Sequence, residues 1–455
     1  MPANRVVLAE YFTTNESIYL FIVRNDFEEP EVLEISLSPE EVRRFIFTNF
    51  HVEQSAGEDP PINARERIQE LDEDAFQTLF APLVEPLVAA SPKGDQVSSQ
   101  GDIIWFVPHG VLHYLPMHAL RVEGSYLIDR NPICYAPSAS VMKFCHKKRR
   151  GRREKALILA DSRNDLVHAR GEAMIVGEMF GVKPYFNAMA SKSLFLEKIE
   201  SERDSLDVFH FSCHGYFDND DAMKSGIMLA PEGGSNAVDN KEWNLTAEEI
   251  FRLELKADLV TLSACESGIN EQKPGDELIG LTRALIFAGT PSVIVSMWAV
   301  DDLSTSLLVQ RFYQNLRPAS PPGTTLNKAE ALREAQQFVK GMTARQVVDY
   351  VRQQLTAPAQ SHDAALQARL QIDMANAQVV AGDLKAAITS YQEIQTRIDG
   401  LSPELPAQLS QQVADTLSLL QFRSEEMDSP RINYDKRPFA HSYYWAPFIL
   451  VGDWR

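Results

Sequence analysis

From residue 156 onward the chain alternates short, predominantly apolar segments with amphipathic ones, a pattern that few folds accommodate. Ala156–Ala160, Leu206–Ser212, Leu259–Ser263 and Ser292–Trp298 read as strands. Ala169–Phe180, Leu194–Glu200, Thr246–Leu253, Leu278–Phe287 and Leu303–Leu316 read as helices, the third opened by a capping box of Thr246 and Glu249. Strands that are apolar along their whole length have no solvent face. They belong inside a parallel or mostly parallel sheet covered by helices on both sides.

The segments before and after this block are legible in the same terms. Val6–Phe12 and Ile18–Val23 are β-rich and separated by the turn-prone TTNES. Ser38-Pro39-Glu40-Glu41 supplies an N-cap, a proline at the first helical position and acids in the first turn. Residues 53–66 read as a loop, Leu71–Ala90 as a helix, and Ile103–Val107 as a short strand ending at Pro108-His109-Gly110. The run HKKRRGRREK at 146–155 marks a domain junction. It fits a solvated linker, a docking patch for an acidic partner or a site of proteolytic nicking. After a break at 317–325 come helices at Lys328–Lys340 and Thr343–Leu355, then an Ala- and Gln-rich stretch from Ala357 to Pro430 that reads as helix only. The aromatic tail Pro438–Arg455 holds a strand-like Phe448–Val451 and is expected to pack back on the sheet.

Composition narrows the function. A net charge of −19 repels phosphate, so neither nucleic acid nor an anionic membrane is an expected partner. The four cysteines, Cys134, Cys145, Cys213 and Cys265, include no CxxC pair and do not form a disulfide framework. The N-terminus lacks a secretory pattern, and no apolar run reaches the ~18 residues of a membrane span. We expect a cytoplasmic chain with reduced thiols and no cofactor.

Two strand ends carry candidate chemistry. Asp207–Ser212 runs into Cys213-His214-Gly215, and Asp258–Ser263 runs into Ala264-Cys265-Glu266-Ser267-Gly268. In open α/β sheets ligands sit beyond the carboxyl ends of strands. A thiol with an ordinary pKa near ~8.5 is mostly protonated at neutral pH, so a nucleophilic cysteine needs a histidine to take its proton. The same histidine then protonates the leaving amine. His214 and Cys265, 51 positions apart and each followed closely by glycine, fit these roles, with the N–H groups of Gly215 and Cys265 as oxyanion donors. Each also has a plainer reading. A cysteine after an apolar strand serves as a small core hydrophobe, and a histidine at a strand end as a hydrogen-bonding group. Cys213 reads as core. A metal site of Cys213, His214 and Cys265 lacks a fourth ligand, so no metal is expected.

The segments DVFHFSCHGYFDNDDAMKSGIMLA, LTAEEIFRLELKADLVTLSACESG and GDELIGLTRALIFAGTPSVIVSMWAVDDLST resemble the CHAT family. These are caspase-like cysteine peptidases of the caspase–hemoglobinase clan, often found with TPR repeats in bacteria. IIWFVPHGVLHYLPMHAL, YAPSASVM, KAEALREAQ and HSYYWAPFILVGDWR add to the match, which covers most of 1–355 and 438–455. The resemblance implies a caspase-like, mostly parallel α/β sheet flanked by helices. It divides the chain into an N-terminal non-catalytic α/β portion (1–150), a catalytic domain (151–355), a helical insertion (356–437) and a terminal segment (438–455) returning to the sheet. It implies His214 as general base, Cys265 as nucleophile and Gly215 as oxyanion donor. The loop after Ser292–Trp298 would line the specificity pocket, with Asp301 or Asp302 favouring a basic residue before the scissile bond. An acid there equally suits the cap of the following helix. Asp218, Asp220 and Asp221 near the histidine are further candidates for shaping the pocket.

One departure is the 82 residues between Leu355 and Pro438, longer than the family's usual link. Within them Ala377–Gln392 looks like one TPR unit, with Gly382-Asp383 as the turn and Ala387 and Tyr391 packing its second helix. A single repeat cannot bury its own face, so it must dock on the protease or bind a regulatory partner. The expected function is a bacterial cysteine endopeptidase acting on a protein substrate in defence or signalling, activated by a partner or by proteolysis. The rivals are a pseudo-protease scaffold and a thiol hydrolase or transferase of non-peptide acyl groups.

Overall fold

The computed structural model of the chain describes residues 6–50, 68–91, 96–216, 218, 221–231, 241–263, 276–298, 300–317, 326–356, 364–401, 407–426 and 431–455. These residues form two compact units, Met1–Gln337 with Ser442–Arg455, and Phe338–His441.

The first unit is built on one large sheet. Its strands are β1 (Val6–Thr13), β2 (Ile18–Val23), β3 (Glu31–Ile35), β4 (Ile103–Val107), β7 (Ile133–Tyr135), β8 (Ala156–Ala160), β9 (Tyr185–Phe186), β10 (Val208–Ser212), β14 (Leu259–Leu262), β15 (Ser292–Ser296) and β16 (Phe448–Gly452). A hairpin of β5 (Arg121–Val122) and β6 (Ser125–Tyr126) stands apart, as does an antiparallel sheet of β11 (Gly215–Tyr216), β12 (Gly226–Met228) and β13 (Asn244–Thr246). The order in the large sheet is β3-β2-β1-β4-β7-β16-β15-β14-β10-β8-β9. It is a mostly parallel sheet flanked by helices, the architecture the apolar strands call for. Every residue of β4, β8, β10, β14, β15 and β16 is buried.

The sheet reverses direction once in its centre. The strands β1, β4, β7 and β16 run parallel, and so do β15, β14, β10, β8 and β9. The two sets oppose each other, because β16 is antiparallel to β15. The C-terminal strand is thus the seam between the halves. Gly452 closes it with φ +102°, and a Cβ there would lie 2.2 Å from the Pro291 carbonyl oxygen, so no other residue fits without moving backbone.

The seam is locked by ionic groups at one edge of the sheet. The Lys328 ammonium is wholly buried and donates to Asp258 Oδ2 at 3.1 Å, with Asp453 Oδ2 at 3.9 Å. Asp258 precedes β14, and Asp453 follows β16. The basic run reaches the same edge. Arg153 Nε donates to Asp258 Oδ2 at 2.9 Å, and the Arg150 and Gly151 N–H groups donate to Asp258 Oδ1. Arg152 Nε donates to Asp207 Oδ1 at 3.0 Å, while the Glu154 and Lys155 N–H groups donate to its Oδ2. Of the readings open for 146–155 (linker, docking patch or nicking site), the solvated linker is the plainest. Instead its second half is pinned, because two buried carboxylates at strand starts need donors.

Local differences from the pattern have simple causes. The helix expected over Leu71–Ala90 runs only from Glu73 to Phe80, capped by Asp72. It then breaks into two 3₁₀ turns, Ala81–Leu83 and Glu85–Leu87, at Pro82 and Pro86. Thr246 and Glu249 form the expected capping box.

The second unit contains the helices Ala344–Thr356, Ala364–Ala381, Leu384–Leu401 and Ala407–Glu426. Ile372, Ala375, Ala387, Tyr391, Ile394, Val413 and Leu420 make its core. Gly382 (φ +82°) turns the second of these helices into the third, and Asp383 caps the latter through the Ala386 N–H. Among the described residues no helix is long and apolar enough to cross a membrane.

Two predictions follow from this packing. Lys328→Ala leaves two buried carboxylates without their ammonium, and the urea midpoint should fall by the equivalent of ~3–5 kcal/mol; a loss within ~1 kcal/mol would show that the lock is dispensable. The second concerns His118. Its Nε2–H donates to the Ala446 carbonyl (3.0 Å), so the neutral ring accepts the Tyr135 hydroxyl at Nδ1 (2.9 Å). Burial holds this imidazole at about 4, below its ordinary 6.5, against the opposing pull of the Ala446 carbonyl. The unfolded chain therefore binds a proton first as the pH falls. Stability from this group is complete above pH 6.5 and drains away toward pH 4, by ~3 kcal/mol in all. Urea midpoints of His118→Gln should have a flatter acid limb than wild type between those pH values.

Candidate active site

The carboxyl ends of β8, β10, β14 and β15 share the sheet edge opposite the ionic lock. The segment after β10 carries His214. Its backbone is held on both sides: Gly215 opens β11 and pairs with Ile227, and the His214 carbonyl accepts the Met228 N–H at 2.8 Å. The segment after β14 carries Cys265, which lies outside the described residues, as do Asp220 and the rest of 264–275. The last rung before it is described: the Ser263 N–H donates to the Phe211 carbonyl at 2.8 Å. In the parallel register Phe211 pairs with Leu262, so His214 and Cys265 each come three residues after that pair.

The loop after β8 supplies a group that the strand-end reading passed over. Asp165 Oδ1 lies 2.8 Å from His214 Nε2. The His214 side chain is 12% exposed and that of Asp165 56%. A carboxylate on one ring nitrogen fixes the tautomer and turns the other nitrogen toward a reacting group. Asp165 was findable, since Ala156–Ala160 is as clear a buried strand as the other two and an acid-rich turn, DSRND, follows it directly.

Cys213 belongs to the core. Its S–H donates to the Leu159 carbonyl at 3.5 Å, and burial pushes its thiol up to about 12. Such a thiol supplies no thiolate at neutral pH.

A small cleft opens at the same strand ends. It is lined by His168 and Glu172 of the helix Val167–Phe180, Ser212 and Ser263 at the ends of β10 and β14, and Asp302 and Thr305 of the helix Asp302–Leu316. Among the described residues its lining includes the carboxyl groups of Glu172 and Asp302. Glu172 is 2% exposed; its Oε1 lies 3.0 Å from His210 Nε2, and its Oε2 accepts the Ser263 hydroxyl at 3.3 Å. Asp301 sits outside this lining and is the N-cap of the last helix, its Oδ1 accepting the Ser304 N–H at 2.9 Å. Asp221 also lies apart from the cavity. Its Oδ1 accepts the Met223 N–H, its Oδ2 is 3.6 Å from Lys224 Nζ, and its own N–H donates to Asp218. Among the described residues no group of three His, Cys, Asp or Glu side chains is arranged to hold a metal ion.

With this geometry in hand, comparison with known proteins is specific. The model of the CHAT domain matches residues 69–453. The chain belongs to the CHAT family. Tetratricopeptide repeat protein 28 of Mus musculus is 22% identical over 321 residues, covering 58% of this chain and 12% of that protein. Its Homo sapiens counterpart is 23% identical over 267 residues, covering 52% and 10%. This CHAT chain therefore spans about a tenth of the length of those relatives. Among solved structures, a Saccharomyces cerevisiae separase–securin complex has a TM-score of 0.48 at 11% identity, over 73% of this chain and 29% of that one. The Arg-specific cysteine proteinase gingipain R has a TM-score of 0.36 at 10% identity, over 59% and 64%.

Proposed function

We propose that this CHAT chain is a cysteine endopeptidase with Cys265 as nucleophile and His214 as general base. The observation that carries the reading is the 2.8 Å pair of Asp165 and His214 at the carboxyl end of β10, beside the strand that leads to Cys265. His214 takes the proton of the Cys265 thiol as sulfur bonds to the scissile carbonyl carbon. The oxyanion is received by the N–H groups of Gly215 and Cys265. His214 then gives its proton to the departing amine, leaving a thioester that water, deprotonated by the same ring, hydrolyses. Asp165 steadies the imidazolium between the two transfers.

The cavity beside His214 suits a basic side chain. Glu172 and Asp302 place two carboxyl groups in its described lining, which favour a guanidinium or ammonium entering it. The substrate is accordingly a protein with Arg or Lys before the scissile bond. The TPR-like helices within 356–437 serve as the site through which a partner protein controls the enzyme.

Two experiments test this. N-terminal peptide profiling of host lysate should yield new termini with wild type and none with Cys265→Ala; identical profiles with candidate partner proteins present would favour a pseudo-protease scaffold. On a peptide with Arg before the cleaved bond, Asp302→Asn should lower kcat/KM by ~10-fold or more, the cost of one ion pair of ~1.4 kcal/mol. Unchanged kinetics would remove Asp302 from specificity.

A further inference from the structure

Asp165 alone is a poor guide for His214. Its side chain is more than half exposed, and exposed pairs of this kind contribute only ~0–1 kcal/mol, too little to hold a ring in one orientation. Its backbone must be held by something else. Accepting the peptidase reading, we propose that Asp161 is a positioning residue that sets the His214 ring through Asp165.

Asp161 is the first residue past β8 and has no solvent exposure. Its carboxylate Oδ1 accepts the N–H groups of both Asp165 and Leu166 at 2.8 Å, and Oδ2 is bound by Arg170 Nε. Its own N–H donates to the Ser212 carbonyl at 2.9 Å, two residues before His214. One residue thus grips both ends of the Asp165–His214 pair, the loop end by its carboxylate and the strand end by its backbone. Its carbonyl also accepts the N–H groups of Asn164 and Asn187, at 3.2 Å each.

The backbone makes the same point. Asp161 has φ +45°, Asn164 φ +65° and Asn187 φ +50°. Three non-glycine residues on one hydrogen-bonded node occupy the left-handed region, where side chains meet steric cost. Starting the helix Val167–Phe180 needs none of this, since an ordinary cap has extended backbone. The strained node instead holds the Asp165 backbone at the end of β8, where its carboxylate meets the imidazole.

The test combines steady-state kinetics with ¹⁵N NMR of the His214 ring in the full chain. Asp161→Gly accepts the left-handed backbone without strain and removes the side chain that binds the Asp165, Leu166 and Arg170 donors. It should lower kcat by ~10–100-fold with KM changed less than about twofold, as misplacement of a reacting group does. Its His214 ring signals should shift to match those of Asp165→Asn. The double variant should be no slower than the worse single one, because both act through one contact. Asp161→Asn, which keeps the Oδ1 acceptor and tolerates the backbone but loses the Oδ2 acceptor of Arg170, should recover most of the kcat that Asp161→Gly loses. Unchanged ring signals in folded Asp161→Gly, or losses that multiply in the double variant, would overturn the proposal. The NMR arm needs no turnover. If wild type cleaves nothing while the ring signals still follow Asp161, the coupling stands and the peptidase reading fails.

Discussion

The molecule depends on a buried ammonium shared by two buried carboxylates. Lys328, Asp258 and Asp453 meet at one edge of a sheet whose two halves run in opposite directions. The seam between them is β16, the last strand in the chain, hydrogen-bonded to β15 on one side and β7 on the other. A strand recruited from more than 100 residues away needs a specific tether. Because β16 is buried on both faces, it has no alternation of apolar and polar residues to set its register. The lysine sets it, because a one-rung slip would leave a bare charge in the interior.

Placing the ionic groups at one edge frees the other for chemistry. Asp207, Asp258 and the arginines that serve them sit where β8, β10 and β14 begin. His214, Asp161, Asp165 and Asp302 sit where those strands and β15 end. Among β8, β10, β14 and β15, which run parallel, this separation is automatic, since all four start on one edge and end on the other. Buried carboxylates therefore appear at both edges with different duties. Asp258 is satisfied by Lys328 and Arg153 and held down at about 2 despite its burial, the state of a fixed structural anion. Glu172 faces a cavity with a histidine and a serine hydroxyl as partners.

Much of this was legible in the residues. The period of the apolar segments marked the strands within one or two residues, and the capping box at Thr246 and the turn at Gly382-Asp383 lie where their side-chain chemistry puts them. His214 stood out because it follows a buried strand and precedes glycine. Asp165 did not, because an acid in an acid-rich turn looks like solvated surface until its neighbour across the sheet is known. Arg152 and Arg153 misled for the converse reason. A run of cations reads as solvated, while the anions that pin it come from Asp207 and Asp258, more than 50 residues later.

The residues alone settle the longer elements, the buried strands and most of the helices, and show which strand ends carry a histidine and a cysteine. Those choices rest on local periodicity, burial and capping, which depend on neighbours in the chain. The folded chain adds that β10 lies between β8 and β14, that Asp161 ties the end of β8 to the end of β10, and that the last strand is the seam of the sheet. These are pairings between residues distant in sequence. They are selected by register, by the direction of hydrogen-bonded strands and by the need of each buried charge for a partner, none of which a one-dimensional pattern contains.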